Sequence, residues 1–223
     1  MLSKDETKLL CETDSGTPMG ELFRRFWIPA LISEELPEPD CTPVAIKLLG
    51  EDLVAFRDTS GRVGLVSAFC PHRHAHLFWG RNEECGLRCT YHGWKYDVDG
   101  NCIDMPNEPE ENRFHGKVKI KSYPTREAGA CVWAYMGPKE LEPEEIPHLE
   151  WARLPDSHVQ VTKRLQENNW AQATEGGMDS SHISYLHNMD LENSTPSTAD
   201  KTPFLQTALK EFGFIEAARR VQP

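Results

Sequence analysis

Between residues 40 and 140 short apolar runs alternate with turn residues, the pattern of an all-β domain. Residues 44–49 and 53–57 read as strands, Asp58 to Gly61 as a turn, and 63–66 as the next strand. Asp99 and Gly100 mark a further hairpin. Residues 117–120 alternate like a strand, and 130–135 form an unbroken apolar run that fits a buried one. Upstream, Thr17 followed by Pro18 predicts a helix start, a capping hydroxyl with proline in the first helical position. That helix is expected to run through Leu22, Phe23 and Phe26 and to stop before Pro29. Pro37, Pro39 and Pro43 break any continuation.

After 140 the texture changes. Residues 141–147 are acidic and proline-rich and read as a linker, and new structure is expected from Val159 with a helical run behind it. The organisation predicted is a helical lead-in (1–40), a β domain (41–140), a linker (141–157) and the beginning of a second domain (158–223).

The 223 residues are 39% hydrophobic and 26% charged, enough apolar material for a core. A net charge of −11 argues against nucleic acid or an anionic membrane as partner. No apolar run approaches the ~20 residues needed to span a bilayer, and the first residues do not read as a secretory signal. Seven cysteines without a paired framework indicate a cytoplasmic protein. Cys11, Cys41, Cys85, Cys102 and Cys131 are expected to be small core residues or bystanders.

The remaining two cysteines carry chemistry. Cys70 and His72 form one pair, Cys89 and His92 another, with residues 73–88 between them. Alternating thiolate and imidazole in this way supplies the Cys₂His₂ set of a Rieske [2Fe–2S] centre, in which histidines replace cysteines on one iron. Cys70 and Cys89 are then assigned to one iron, His72 and His92 to the other. Zinc is the competing metal, but zinc modules group cysteines with cysteines and histidines with histidines, usually placing the histidines on a helix. His76 could compete with His72 by position, though His72 fits the spacing better. His74, His115, His148 and His158 lack such context, and Phe78 and Trp79 read as packing residues.

The surroundings of these pairs carry a resemblance. Arg73 after the first histidine, the run Tyr91-His92-Gly93-Trp94, and the stretch from Asp97 to Gly100 and on through Met105 and Pro106 resemble the α subunits of Rieske non-haem iron ring-hydroxylating oxygenases, above all the phthalate dioxygenase-like group. The resemblance runs from about Gly16 to the last residue. It implies an α+β fold class: an all-β Rieske domain followed by the beginning of an α+β, helix-grip-like catalytic domain, incomplete here. Respiratory Rieske proteins brace their cluster with a disulfide; Ala75 and Tyr91 stand at the corresponding positions. Trp94 stands where those proteins have a serine that bonds a cluster sulfur. Fewer hydrogen bonds to sulfur imply a potential toward the low end of roughly −150 to +300 mV.

Asp179, His182 and His187 form a second constellation. Alone it is a weak motif, and positions five apart on an ideal helix diverge by about 140°, so both imidazoles reach one ion only if the helix is distorted or ends between them. The resemblance gives it meaning, because in that family such a motif follows an Asn-Trp pair, here Asn169 and Trp170, with Glu175-Gly176-Gly177 between. It implies that His182 and His187 hold a mononuclear ferrous iron. Asp179 is implied as a bridge, accepting from the outer nitrogen of His92 of a neighbouring subunit in a trimer and from His182 on its other side. The third ligand in the family is a distant downstream aspartate without a counterpart here. Asp190, Glu192, Asp200, Glu211 and Glu216 are too near the motif, and the chain is expected to be a truncated N-terminal portion.

The function implied is the terminal oxygenase component of an aromatic-ring hydroxylating system, with a Rieske [2Fe–2S] cluster and mononuclear Fe(II) as cofactors. An NAD(P)H-dependent flavin/[2Fe–2S] reductase, dioxygen and an aromatic, carboxylated substrate are the implied partners. Arg73 reads as a residue that offsets the charge of a reduced cluster or pairs across a subunit boundary, with a plain surface arginine as the alternative. A Rieske ferredoxin-type electron carrier is the alternative, and the residues after the linker argue against it.

Overall fold

The strand β3 (Glu51–Arg57) is an inner strand of a four-stranded sheet with a buried cluster on each face, and its alternation explains the layering. In the computed structural model, which describes residues 2–187, 201–211 and 213–221, the chain divides into two compact units, Met1–Leu165 and Gln166–Pro223.

The first unit opens with α1 (Lys4–Cys11), where Ser3 and Glu6 cap each other reciprocally. Then α2 (Pro18–Phe23) starts as expected, with the Thr17 hydroxyl accepting from the Gly20 amide at 3.1 Å. It ends earlier than expected. Phe26 lies outside it, and Pro29 does not follow a helix but sits inside β1 (Trp27–Ile32). Proline is tolerated there because β1 is an edge strand whose register shifts between Pro29 and Leu31.

Eight short strands follow: β2 (Val44–Leu48), β3, β4 (Val63–Ser67), β5 (Arg81–Glu83), β6 (Gly86–Arg88), β7 (Lys95–Tyr96), β8 (Cys102–Asp104) and β9 (Ser122–Tyr123). β10 (Thr125–Ala128) and β11 (Cys131–Tyr135) complete the unit. They form three antiparallel sheets in the orders β2-β3-β4-β9, β5-β6-β7-β8 and β1-β11-β10. Leu53, Ala55 and Leu65 face Leu31, Leu36, Val132 and Ala134 on one side of the central sheet. Val54, Phe56 and Val66 face Leu77, Leu87, Trp94, Tyr96 and Met105 on the other. Strands buried on both faces read as continuous apolar runs, which is the texture of 53–56 and 131–135.

Residues 117–120 depart from the strand reading. A 3₁₀ turn occupies His115–Lys117, and the segment meets the β7–β8 hairpin through one bridge, Asn101 to Lys119, and hydrogen bonds between Ile120 and Gly100 and between Cys102 and Val118. Gly100 is why this approach is close. Its φ is +79°, and a Cβ there would stand 2.3 Å from the Ile120 carbonyl. Gly100→Ala is therefore expected to lower stability by about 1–3 kcal/mol, read as a shift in denaturation midpoint; an unchanged midpoint would contradict the packing.

Residues 159–165 carry no regular structure. Val161 packs against the Trp27, Cys131, Trp133 and Tyr135 cluster, and Lys163 pairs with Glu35. The second unit contains α3 (Trp170–Met178), α4 (Ile183–Leu186) and one antiparallel hairpin, β12 (Phe204–Lys210) with β13 (Gly213–Arg219). Asp190, Glu192 and Asp200 lie outside the described residues. Among the described residues no helix is long and apolar enough to cross a membrane.

Candidate metal centres

Two loops of the first unit are built to one backbone plan. In the first, the Cys70 amide donates to the Ala75 carbonyl and the His74 amide to the Cys70 carbonyl, both at 2.9 Å. In the second, Cys89 donates to Trp94 at 2.8 Å and Gly93 to Cys89 at 3.0 Å. The offsets are identical, i to i+5 and i+4 to i. The fifth residue of each loop is left-handed, His74 at φ +57° and Gly93 at φ +78°, as a chain must be to fold back so tightly.

This plan buries both sulfurs and leaves the imidazoles half-buried at the rim. Cys70 is 1% exposed and Cys89 3%. The His72 and His92 ring centroids are 4.4 Å apart. His72 stacks on Trp94 at 4.5 Å and 8° between planes, and Trp94 spends its indole N–H on Asn107 at 2.8 Å. That donor is thus unavailable to a neighbouring sulfur. Burial, then His92 and Arg73, hold the His72 imidazole below its ordinary pKa. Its Nδ1 is buried without a hydrogen-bond partner. An orphaned nitrogen beside two buried thiols is a costly arrangement in an apolar core and a fitting one for a metal centre.

Among the described residues no three His, Cys, Asp or Glu side chains converge on one ion. A [2Fe–2S] unit needs only two side chains on each iron, so the four fit it better than zinc, which takes all its ligands around one centre. The other cysteines are free thiols. Cys102 lies deep among them: burial pushes its pKa up to about 11, and it faces the Asp104 carbonyl. Two contacts escaped the sequence reading. The Tyr96 hydroxyl lies 3.2 Å from Cys70 Sγ, and the Arg88 guanidinium donates to the Gly93 carbonyl at 2.8 Å.

In the second unit the motif does not lie on one helix. Asn169 caps α3, and the helix stops at Met178 with Asp179 in extended conformation. His182 and His187 flank the single turn of α4. His187 closes that turn in a non-helical C-cap conformation, and the two rings stand 5.2 Å apart. Asp179 Oδ1 accepts from the Ser181 hydroxyl at 2.5 Å and amide at 2.8 Å, which hold its carboxyl below the usual range. Its Oδ2 faces His182 Nδ1 at 3.5 Å. Asp179, His182 and His187 line one open concavity of about 470 Å³ with Gly176 and Gly177.

Comparison with known proteins agrees with this architecture. Residues 26–124 match the Rieske [2Fe-2S] domain, and residues 134–222 match the family described as LigXa C-terminal domain like. The chain belongs to the Rieske oxygenase family. It is 47% identical to the phthalate 4,5-dioxygenase oxygenase subunit of Pseudomonas putida, over 99% of this chain and 53% of that one. It is 48% identical to the 3-chlorobenzoate-3,4-dioxygenase oxygenase subunit of Comamonas testosteroni, over 83% of this chain and 42% of that one. The oxygenase of a reduced oxygenase–ferredoxin complex of carbazole 1,9a-dioxygenase superposes with a TM-score of 0.55 at 30% identity, covering 72% of this chain and 41% of that one. This Rieske oxygenase chain spans about half the length of the curated relatives it matches.

Proposed function

We propose that this chain is the electron-accepting and iron-holding part of a terminal oxygenase that hydroxylates an aromatic carboxylate. The observation that carries the reading is the pair of matched loops, with two buried thiols beneath two rim imidazoles. Cys70 and Cys89 hold one iron of a [2Fe–2S] cluster, and His72 and His92 hold the other. His182 and His187 hold a mononuclear ferrous iron. When bound, the cluster supplies single electrons and the ferrous centre supplies dioxygen activation.

The chain's own residues do the positioning. Trp94 supports the His72 ring, and the Ser181 hydroxyl and amide keep Asp179 ionised with one oxygen toward His182. In an assembly of several copies, Asp179 is suited to accept a hydrogen bond from His92 of a neighbouring copy. The domain reading follows: 41–140 hold the cluster, and 158–223 begin the domain of the second iron. Relatives named for phthalate and 3-chlorobenzoate support the substrate class. The matching oxygenase–ferredoxin complex supports a separate electron donor, here a cytoplasmic NAD(P)H-dependent reductase.

Iron and acid-labile sulfide per chain, measured after anaerobic loading with ferrous iron, test this directly. About three irons and two sulfides are expected. About two of each would reduce the chain to an electron carrier, and a colourless zinc protein would end the Rieske reading.

Tyr96 gives a finer check. Its hydroxyl, 3.2 Å from Cys70 Sγ, would bond more strongly to the sulfur of a reduced, more negative cluster and so would favour reduction. Tyr96→Phe should lower the midpoint potential by about 40 mV, equivalent to about 1 kcal/mol for one electron. A voltammetric potential that does not fall would exclude this role.

A further inference from the structure

The two metal-binding loops share a backbone plan but are secured differently. In the first, the left-handed residue His74 stacks on Phe69, with ring centroids 4.3 Å apart and planes at 7°. In the second the left-handed residue is Gly93, which has no side chain to hold. A Cβ there would stand 2.6 Å from Pro106 Cγ, with Arg88 Nη1 at 4.0 Å. Gly93 is thus enclosed by a proline ring and a guanidinium. Arg88 Nη1 donates to both the Gly93 carbonyl and Asp104 Oδ2 at 2.8 Å.

The rest of the guanidinium is also engaged. Nε donates to Glu83 at 2.5 Å and Nη2 lies 3.7 Å from Glu84, while the side chain is only 11% exposed. On the adjacent strand Lys95 stands directly opposite Arg88. Two like charges face to face are unfavourable in a sheet, and Glu83, Glu84 and Asp104 offset them. Lys95 already pairs with Glu84 at 2.9 Å. Only the planar fork of an arginine reaches Glu83, Asp104 and a main-chain carbonyl together.

We propose that Arg88 is a positioning residue for the iron–sulfur site. Its bond to Gly93 fixes the backbone between His92, which holds an iron, and Trp94, which supports the His72 ring. Asp104 shares Nη1 with the Gly93 carbonyl and aims that corner of the guanidinium, whereas Glu83 accepts only at Nε, away from the loop, and the carbonyl bond is what reaches the site. This rests on the Rieske reading, and the experiment separates the two.

The test uses the reconstituted protein, with Arg88→Lys to keep the charge and lose the fork. A second variant, Glu83→Gln, removes an ion pair that does not touch the loop. Arg88→Lys should keep its cluster, release iron to a ferrous chelator about tenfold faster, and give a broadened electron paramagnetic resonance spectrum in the reduced state. Glu83→Gln should match the parent in both. A parent-like release rate and line shape in Arg88→Lys would overturn the proposal. So would equal changes in Glu83→Gln, since lost ion pairing would then account for both. If Arg88→Lys does not fold, Asp104→Asn takes its place, and an unchanged spectrum there would equally overturn it. Absence of any Rieske signal from the parent would instead sink the reading beneath.

Discussion

Cys89→Ser, purified anaerobically, is expected to come out colourless, with sulfide falling from about two per chain to about none and iron falling by about two. Cys89 is 3% exposed and sits under the imidazole rim. Its amide is fixed by Trp94, so the serine hydroxyl would occupy the same place. Geometry is therefore preserved and only ligand chemistry changes. Iron in a sulfide-bridged cluster takes soft thiolate donors, and a buried serine hydroxyl does not ionise to replace one. The fold should survive, because the core around the loops remains, from Val54 and Phe56 to Tyr96 and Met105. Cys85→Ser is the matched control. Cys85 lies between the ligand pairs, but it sits in a turn whose amide donates to Thr59, and its replacement should leave the cluster whole. A full cluster in Cys89→Ser, or its loss in Cys85→Ser, would redraw the ligand set.

The second large effect belongs to Asp179. In an assembled preparation that turns over, Asp179→Asn should lower product formation by about 100-fold while iron and sulfide contents stay unchanged. The carboxylate is held by two donors from Ser181 and presents its other oxygen to His182. An asparagine can keep the Ser181 contacts but cannot offer a charged acceptor on both sides. The defect should appear in a single turnover as slow reoxidation of the reduced cluster, with the iron still in place. Product formed at the parent rate would remove Asp179 from the electron path. Loss of iron would make it a ligand instead of a bridge.

The parts of this structure visible in the sequence were those with a local signature. The Thr17-Pro18 helix start, the strands flanking the turn from Asp58 to Gly61, and the buried run at 131–135 each follow from nearby residues. Pro29 misled because a proline after helical periodicity reads as a terminator, and nothing nearby says that an edge position awaits it opposite Trp133. Residues 117–120 alternate, yet meet their partner too briefly to form a ladder. Val161 reads as the beginning of something new, but its partners, Trp27 and Trp133, are distant in sequence.

The same division runs through the candidate sites. The proposed ligand pairs are local motifs that a sequence displays, and so is Asp179 with its two histidines. The helix was expected to be distorted or to end between those histidines; its interruption lies upstream at Asp179, and His187 leaves the helical conformation at the end of the turn they flank. Tyr96 was missed although a signal existed: it lies two residues after Trp94, the spacing that shares a face in extended chain, and both enter one buried cluster. Arg88 could have been suspected from its cross-strand lysine and the carboxylates of Glu83, Glu84 and Asp104. Its bond to Gly93 could not, because a main-chain carbonyl leaves no mark in a sequence.

The matched loops also set a rule for sequence change. Since both are closed by main-chain hydrogen bonds, their shape does not depend on the side chains at Pro71, Arg73, Thr90 or Tyr91. Those positions can drift, adjusting charge and contacts outside without moving either sulfur. Positions 74 and 93 cannot drift in the same way, because each must accept a positive φ. A saturation library at positions 71, 73, 74, 90, 91 and 93, selected only for colour, should therefore return many residues at 71, 73, 90 and 91 and few at 74 and 93.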